Sequence, residues 1–173
     1  DQFISYMRDG SDEELQDTDI NMLLQELVIQ FKPLDIRFTV QDVPIIQARS
    51  QSLKRMIGNL INNSRRYGAE PIELSAKVED EHIFIRVADN GEGIPEDQIE
   101  DLMQPFVRGD EARTVQGSGL GLAIVKRIVD MHQGQLSIHN RPEGGLEAVI
   151  CLPILHDEIE ENVPHSALGK IKQ

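Results

Sequence analysis

The sequence predicts an α+β fold in which one layer of about three helices covers one face of a mixed β-sheet. Three stretches show the apolar spacing of amphipathic helices, and short runs rich in β-branched residues lie between them. At 173 residues, the chain is long enough for one domain with a hydrophobic core. Because each helix has one apolar stripe, we expect a two-layer sandwich.

Capping residues, turn residues and apolar spacing place the individual elements. The first helix is expected behind a cap at Thr18 or Asp19, and it is expected to bury Met22, Leu23 and Leu27. The predicted helices are 20–31, a helix from a cap at Ser50 through the Asn-rich cluster, 96–103, and 120–132. The predicted strands are 36–40, 45–48, 72–78, 82–88, 135–139 and 146–152.

The composition excludes several classes of partner. A net charge of −13 argues against a nucleic acid or an anionic membrane surface. No apolar run approaches the roughly 20 residues of a membrane-spanning helix. The single cysteine, Cys151, rules out an internal disulfide, and we expect it to be a packed core thiol in a reducing compartment.

Three polar clusters interrupt the apolar segments, and we interpret them as three walls of one nucleotide pocket. In the first, Asn59 and Asn63 are four residues apart, so they share one face of the predicted helix. Their amide oxygens suit a hard cation whose other ligands are water and phosphate. A solvated face of an ordinary amphipathic helix is the alternative interpretation.

The second cluster follows the predicted strand 82–88. Asp89 lies at the strand's end, where a carboxylate can accept a hydrogen bond from the exocyclic amine of a base. Gly91 and Gly93 allow a close backbone approach or a positive φ. Taken alone, this cluster also fits a plain Asn-Gly turn.

The third cluster, from Gly117 to Leu122, frees backbone amides at the start of a helix, where anions bind. A single Gly-rich motif is weak evidence of a phosphate site. Because no strand directly precedes it, the motif argues against a dinucleotide-binding fold.

In this order and spacing, the clusters resemble the ATP-binding catalytic domain of bacterial two-component sensor histidine kinases. The matching blocks are an Asn box (59–67), a first Gly box (89–93), a Phe box (105–108) and a second Gly box (117–122). Residues 104–110, 119–125 and 127–130 look like the osmosensing kinases of the EnvZ type.

The resemblance implies a fold shared with the gyrase, Hsp90 and mismatch-repair ATPases, with the ATP site between the Asn helix and the sheet. It also implies an organisation in four parts. These parts are the end of a dimerisation-domain helix (1–10), an acidic linker (11–17), the catalytic ATP-binding domain (18–155) and a disordered tail (156–173).

The implied activity is that of a protein-histidine kinase. Such a domain binds ATP with Mg²⁺ and transfers the γ-phosphoryl group to a histidine on a separate dimerisation and phosphoacceptor domain, which then signals to an OmpR-type response regulator. The resemblance also implies the cytoplasmic domain of a homodimeric inner-membrane protein. We expect the chain itself to be largely monomeric and not to contact the membrane.

Individual roles follow from the matching positions. The resemblance implies that Asn63 binds Mg²⁺, that Asn59 holds a metal-bound water or a phosphate, and that Arg66 contacts a phosphate. It also implies that Tyr67 packs against the adenine and that Asp89 accepts a hydrogen bond from the adenine amine. The implied catalytic residues are Asn59, Asn63, Arg66 and Arg108. The implied ATP-binding residues are Asn59, Asn63, Arg66, Tyr67, Asp89, Gly91, Gly93, Ile94, Phe106, Arg108, Gly117, Ser118, Gly119, Leu120, Gly121 and Leu122.

Two features favour phosphoryl transfer to another domain. The related ATPases carry a glutamate at the position of Asn59, which cannot accept a proton from water. None of the five histidines lies in the acidic and Arg-x-Pro context of the family's acceptor; His156 comes nearest but lacks the Arg and Pro. Two alternatives stay open, namely an ATP hydrolase of the related superfamily and a nucleotide-binding regulatory module without chemistry.

Overall fold

The computed structural model describes residues 12–102 and 121–155. In chain order the elements are β1 (Gln16–Thr18), α1 (Ile20–Gln30), β2 (Ile36–Val40), β3 (Ile46–Ala48), α2 (Ser50–Tyr67), β4 (Ile72–Glu79), β5 (His82–Ala88), α3 (Glu96–Leu102), α4 (Gly121–Met131), β6 (Gln135–Asn140) and β7 (Leu146–Pro153). The predictions for residues 1–10, for the Phe box and for the tail fall outside the described residues.

The main sheet has five strands in the order β2-β4-β5-β7-β6. The pair β2-β4 is parallel, and the other three pairs are antiparallel. Alternate residues of the central strands are buried, including Leu74, Ile85 and Ile150. These residues form one core with α1, α2 and α4, which confirms the predicted mixed sheet with helices on one face.

The apolar stripe predicted for α2, namely Leu53, Met56, Ile57, Leu60 and Ile61, is buried throughout, whereas one predicted core residue of α1 is wrong. Asp19 caps α1 by accepting a hydrogen bond from the Met22 amide at 3.1 Å. The Met22 side chain is 58% exposed, whereas Leu24 is fully buried. The reason is that Ile20, Leu24 and Leu27 share a face, and the neighbouring Leu23 extends this face while Met22 lies outside it.

Cys151 also differs from the prediction. It lies on β7 between the buried residues Ile150 and Leu152, so its side chain points to the sheet face opposite α1, α2 and α4 and is only half-buried. Partial burial raises the pKa of the thiol above its ordinary value, which makes it less reactive.

The acidic segment before α1 forms a strand and a helix cap that the sequence did not predict. Gln16 and Asp17, which we expected in a linker, lie in β1, and this strand pairs antiparallel with β3. Upstream, the Glu13 carboxylate accepts hydrogen bonds from the Gln51 amide at 2.7 Å and from the Ser52 amide at 3.0 Å. The Ser52 hydroxyl donates a further bond to it at 2.7 Å.

Glu13 therefore caps α2, the role predicted for Ser50. Helix α2 starts with Ser50 inside it, and Arg49 at its cap position makes no side-chain capping bond. A carboxylate suits this place because it satisfies free amides and faces the positive end of the helix dipole. Burial raises the pKa of Glu13, but the bonds from Ser52 and from the two backbone amides outweigh burial, so the net pKa is below its ordinary value.

His132 connects the N-terminal end of α2 to the end of α4. Its Nδ1 lies 2.8 Å from the Ile128 carbonyl oxygen, and its Nε2 accepts the Arg49 amide at 3.1 Å. A carbonyl can only accept and an amide can only donate, so the ring is neutral with its proton on Nδ1. Burial is the largest effect and, with the charge of Arg49, it lowers the pKa of His132 despite the Ile128 bond and the charge of Glu13.

In the described part of the chain, none of the helices combines the length and the apolar character needed to cross a lipid bilayer.

We predict that Glu13→Ala lowers the free energy of unfolding by about 1–2 kcal/mol, because it removes the cap of α2. Urea unfolding monitored by circular dichroism measures this loss. The control is Glu14→Ala, since Glu14 is an exposed neighbour of the same charge. Equal free energies of unfolding for the two variants would contradict the capping role.

We predict that the free energy of unfolding falls as the pH falls below about 6.5, the ordinary pKa of histidine. The folded-state pKa of His132 is lowered, so between the two values the unfolded chain binds more protons and stability is lost with acid. His132→Gln retains a donor and an acceptor but cannot titrate, so it flattens this dependence. Urea titrations from about pH 7.5 to 5.5 test this, because Glu13 titrates at lower pH. The wild-type chain is the reference in each titration, and an unchanged slope in His132→Gln would refute the prediction.

Candidate functional site

The C-terminal half of α2 presents the predicted Asn-box side chains in one region. Asn59, Asn63, Arg66 and Tyr67 are spaced by four, three and one residues, so they lie on one side of the helix. Arg66 and Tyr67 are exposed, and the Asn residues are half-buried at the margin of the apolar stripe. The buried Nδ2 atom of Asn59 has no hydrogen-bond partner among the described residues, which is unusual for a buried amide.

The start of α4 lies against this face. A Cβ at Gly121 would be 3.5 Å from Asn63 Oδ1 and 3.7 Å from its Nδ2. The sequence separates the two residues by 58 positions, and the packing of α2 on α4 brings them into contact. The helix start of the second Gly box therefore adjoins the amide predicted to bind the metal.

The first Gly box lies against the C-terminal end of α2, at Gly68. Asp89 is 5% exposed, and its Oδ1 accepts hydrogen bonds from the Gly91 amide at 2.9 Å and the Leu146 amide at 3.2 Å. Its other carboxylate oxygen, Oδ2, faces the end of α2, where a Cβ at Gly68 would lie 2.6 Å away. A glycine at position 68 is therefore required for Asp89 to occupy this place.

Glycine is needed at positions 91 and 93 for two different structural reasons. A Cβ at Gly91 would lie 2.7 Å from the Cα of Gly68, so Gly91 permits the loop to pack on the end of α2. Gly93 has a φ of +76°, which other residues adopt only with strain. The neighbouring Asn90 amide donates to the Ala69 carbonyl at 2.9 Å, which also fastens the loop to α2.

A hairpin between β6 and β7 supports the same loop, and the sequence analysis missed its role. The Asn140 side chain accepts the Ile94 amide at 2.9 Å and donates to the Ile94 carbonyl at 2.7 Å. Arg141 donates from Nη1 to the Asp89 carbonyl at 2.8 Å. Gly145, with a φ of +93°, approaches so closely that a Cβ there would be 2.7 Å from the Asp89 carbonyl carbon.

Arg141 is itself held by carboxylates. Its Nη2 lies 2.8 Å from Glu73 Oε2 and 2.8 Å from Glu143 Oε1. Burial of the guanidinium lowers its pKa, but the bond to Glu143 and the charges of Glu73, Glu143 and Glu147 outweigh burial and raise the pKa above its ordinary value. The side chain is therefore charged and fixed in place.

Comparison with known proteins places this arrangement in a family. Residues 48–156 match the family described as histidine kinase-, DNA gyrase B- and HSP90-like ATPases. The chain belongs to this family. The solved histidine kinase domain of the Escherichia coli osmosensor EnvZ is 34% identical, with a TM-score of 0.66 over 95% of this chain and 99% of that chain. The domain is thus an ATP-binding catalytic domain of the sensor histidine kinase kind.

Two further relatives show the same assignment. The sensor histidine kinase GtrS of Pseudomonas aeruginosa is 36% identical over 145 residues, which is 83% of this chain and 30% of GtrS. The full-length ShkA structure, solved in complex with AMPPNP, has a TM-score of 0.78 at 25% identity, over 88% of this chain and 34% of that one. The chain therefore spans less than a third of GtrS, and the identities do not single out the EnvZ type.

Within this family frame, the structure brings together the described members of three boxes. Asn63 contacts Gly121, and Gly68 connects the Asn helix to Asp89 and Gly91. Leu122 is half-buried and packs against the core. The remaining predicted site residues lie outside the described residues; they are Phe106, Arg108, Gly117, Ser118, Gly119 and Leu120.

Proposed function

We propose that this chain binds Mg²⁺ and ATP and transfers the γ-phosphoryl group to a histidine on a separate dimerisation and phosphoacceptor domain. The observation that carries the proposal is the convergence on one half of α2 of Asn63, the helix start at Gly121 and the buried carboxylate of Asp89. These three groups supply a metal ligand, an anion-binding helix start and a base-reading acceptor.

The adenine is proposed to bind where the first Gly box meets the end of α2. Asp89 Oδ1 already accepts two backbone amides, so the carboxylate is held in one orientation. We infer that Oδ2 accepts the hydrogen bond from the adenine amine, directly or through water. Tyr67 is 45% exposed and directly precedes Gly68, which packs against Asp89, so we infer that its ring covers the base.

The residues present fit a magnesium ion that arrives with the nucleotide. Within the described ranges no group of three or more Asp, Glu, His or Cys side chains is placed to hold a metal. Mg²⁺ in phosphoryl-transfer sites is commonly held by one or two protein oxygens, water and the phosphates themselves. Asn63 would supply the protein oxygen, and the buried Nδ2 of Asn59 would donate to a phosphate oxygen, or its Oδ1 would accept from a metal-bound water. When bound, the metal would neutralise charge that develops on the phosphates.

The site suits transfer to an imidazole better than hydrolysis. Activation of water needs a general base within hydrogen-bond reach, and Asn59 offers a neutral amide there. A neutral imidazole is nucleophilic near pH 7 without such a base. Phosphoryl transfer then depends mainly on positioning and charge neutralisation.

The finer assignments are also proposals. They are that residues 1–10 end a dimerisation helix, that 18–155 form the catalytic unit and that 156–173 are a tail. Similarity to the EnvZ domain and to GtrS supports a parent that is homodimeric, anchored in the inner membrane with this domain in the cytoplasm, and paired with an OmpR-type response regulator.

Incubation with a cognate histidine-bearing helical domain and γ-labelled ATP tests the whole proposal. We expect the label on the acceptor domain and none on this chain. Release of labelled phosphate at the same rate with and without the acceptor would instead favour a hydrolase.

We predict that Asn63→Ala reduces transfer by at least about a hundredfold, because the protein oxygen for the metal is lost. Transfer of label to the acceptor domain measures this, and circular dichroism checks the fold. Asn62→Ala is the matched control, since it removes an identical side chain one residue away on α2. Equal transfer rates for the two variants would remove the metal role.

We predict that Asp89→Asn weakens ATP binding by about tenfold or more, because one hydrogen bond to a charged group contributes about 1.5–3 kcal/mol. Isothermal titration calorimetry with Mg²⁺ gives the dissociation constant. Magnesium tripolyphosphate, which has no base, should bind both proteins equally. An unaltered constant for ATP would show that Asp89 does not contact the base.

A further inference from the structure

The hairpin that joins β6 to β7 makes polar contacts with the first Gly box at both of its ends. At the start of the box, Asp89 donates its amide to the Leu146 carbonyl at 3.0 Å, and its carbonyl accepts Arg141 Nη1 at 2.8 Å. After the box, the Asn140 amide group bonds both backbone groups of Ile94. The loop that carries the base-reading carboxylate is therefore tied to the hairpin before and after its two glycines.

The Arg141 side chain is built as a rigid support. It is 7% exposed, and its guanidinium lies between the carboxylates of Glu73 and Glu143. Its Nη1 also reaches Asn90 Oδ1 at 3.4 Å. A planar guanidinium held by two carboxylates has little freedom, so it donates to the Asp89 carbonyl in a fixed direction.

The Asp89 backbone is thereby fixed on both sides of its Cα. The amide and the carbonyl each have a defined partner, and the carboxylate is then aimed by the Gly91 and Leu146 amides. Loss of the Arg141 bond would leave the peptide plane between Asp89 and Asn90 held from one side only, by the bond from the Asn90 amide to the Ala69 carbonyl at 2.9 Å, and the carboxylate would be less precisely oriented. Base recognition needs that orientation, since an acceptor misplaced by about 1 Å loses most of its hydrogen bond.

We propose that Arg141, assisted by Asn140, is a positioning residue for recognition of the purine base: it acts through Asp89 and touches neither the nucleotide nor the metal. The inference depends on the proposed function, in which Asp89 reads the adenine amine. It assigns nucleotide selectivity to a hairpin outside the family boxes.

Arg141→Gln tests the proposal, with Arg86→Gln as the matched control. Arg86 belongs to the same charged group, with ion pairs to Glu147 at 2.8 Å and Glu73 at 3.7 Å. We expect Arg141→Gln to raise the dissociation constant for ATP by about tenfold, a change of about 1.4 kcal/mol. Because inosine triphosphate lacks the exocyclic amine, its affinity should change much less. The ratio of the dissociation constant for ATP to that for inosine triphosphate should therefore rise in Arg141→Gln and stay at the wild-type value in Arg86→Gln.

A double-mutant cycle separates positioning from general stability. If Arg141 acts through Asp89, Arg141→Gln should cost no further ATP affinity in an Asp89→Asn background. Magnesium tripolyphosphate should bind every variant equally, because it has no base. Arg141→Lys, which keeps one donor and one charge, should recover part of the ATP preference, and it also serves if the Gln variant does not fold.

Three results would overturn the inference alone: an unchanged ATP to inosine triphosphate ratio in Arg141→Gln, an equal loss in Arg86→Gln, or additive losses with Asp89→Asn. In each case the wild-type chain still binds and transfers, so the proposed function survives. Failure of the wild-type chain to bind ATP at all would overturn both.

Discussion

The close approach between the end of α2 and the loop after β5 is the constraint on which the site depends. The backbones of Gly68 and Gly91 meet at this point, and the Asp89 side chain fills the remaining space. A Cβ added to either glycine would lie less than 3 Å from a neighbouring atom, which real structures do not tolerate. The contact fixes the distance between Asn63, five residues upstream of Gly68 on α2, and the carboxylate that follows β5. In the proposed site, this contact sets the spacing between the group that would bind the adenine and the group that would bind the metal.

Helix α2 is organised from both ends. Its C-terminal half carries the site, and its N-terminal end is capped by Glu13 and bonded to His132 through Arg49. The capping residue comes from the segment that precedes α1, and His132 follows the end of α4, so three separate parts of the chain meet at one helix end. A buried neutral imidazole and a capping carboxylate make this junction sensitive to acid, whereas the nucleotide site itself contains no histidine among the described residues.

Local patterns in the sequence predicted most of the regular elements, and they placed the described box residues on a helix, at a strand end and in a loop, where the structure has them. Apolar spacing located α2 and its buried residues Leu53, Met56, Ile57, Leu60 and Ile61, and glycine spacing located the loop at Gly91 and Gly93. The missed contacts are of another kind. Glu13 meets the start of α2 from 38 residues away, and Arg141 meets Asp89 from 52 residues away. Single charged residues in turns carry no periodicity, so only the tertiary packing of the hairpin and the N-terminal segment reveals them.

The sheet face opposite α1, α2 and α4 carries the polar contacts that support the loop at Asp89. In the described part of the chain these helices pack on the other face, so Glu73, Arg86 and Glu147 can line this one without complete loss of water. Ion pairs of this partly exposed kind contribute little stability, about 0–1 kcal/mol each. Their directional geometry is the more useful property, because a guanidinium held by carboxylates can orient a backbone carbonyl where apolar side chains cannot. The helix-covered face thus supplies the core, and the polar residues of the opposite face hold Arg141, which donates to the Asp89 carbonyl.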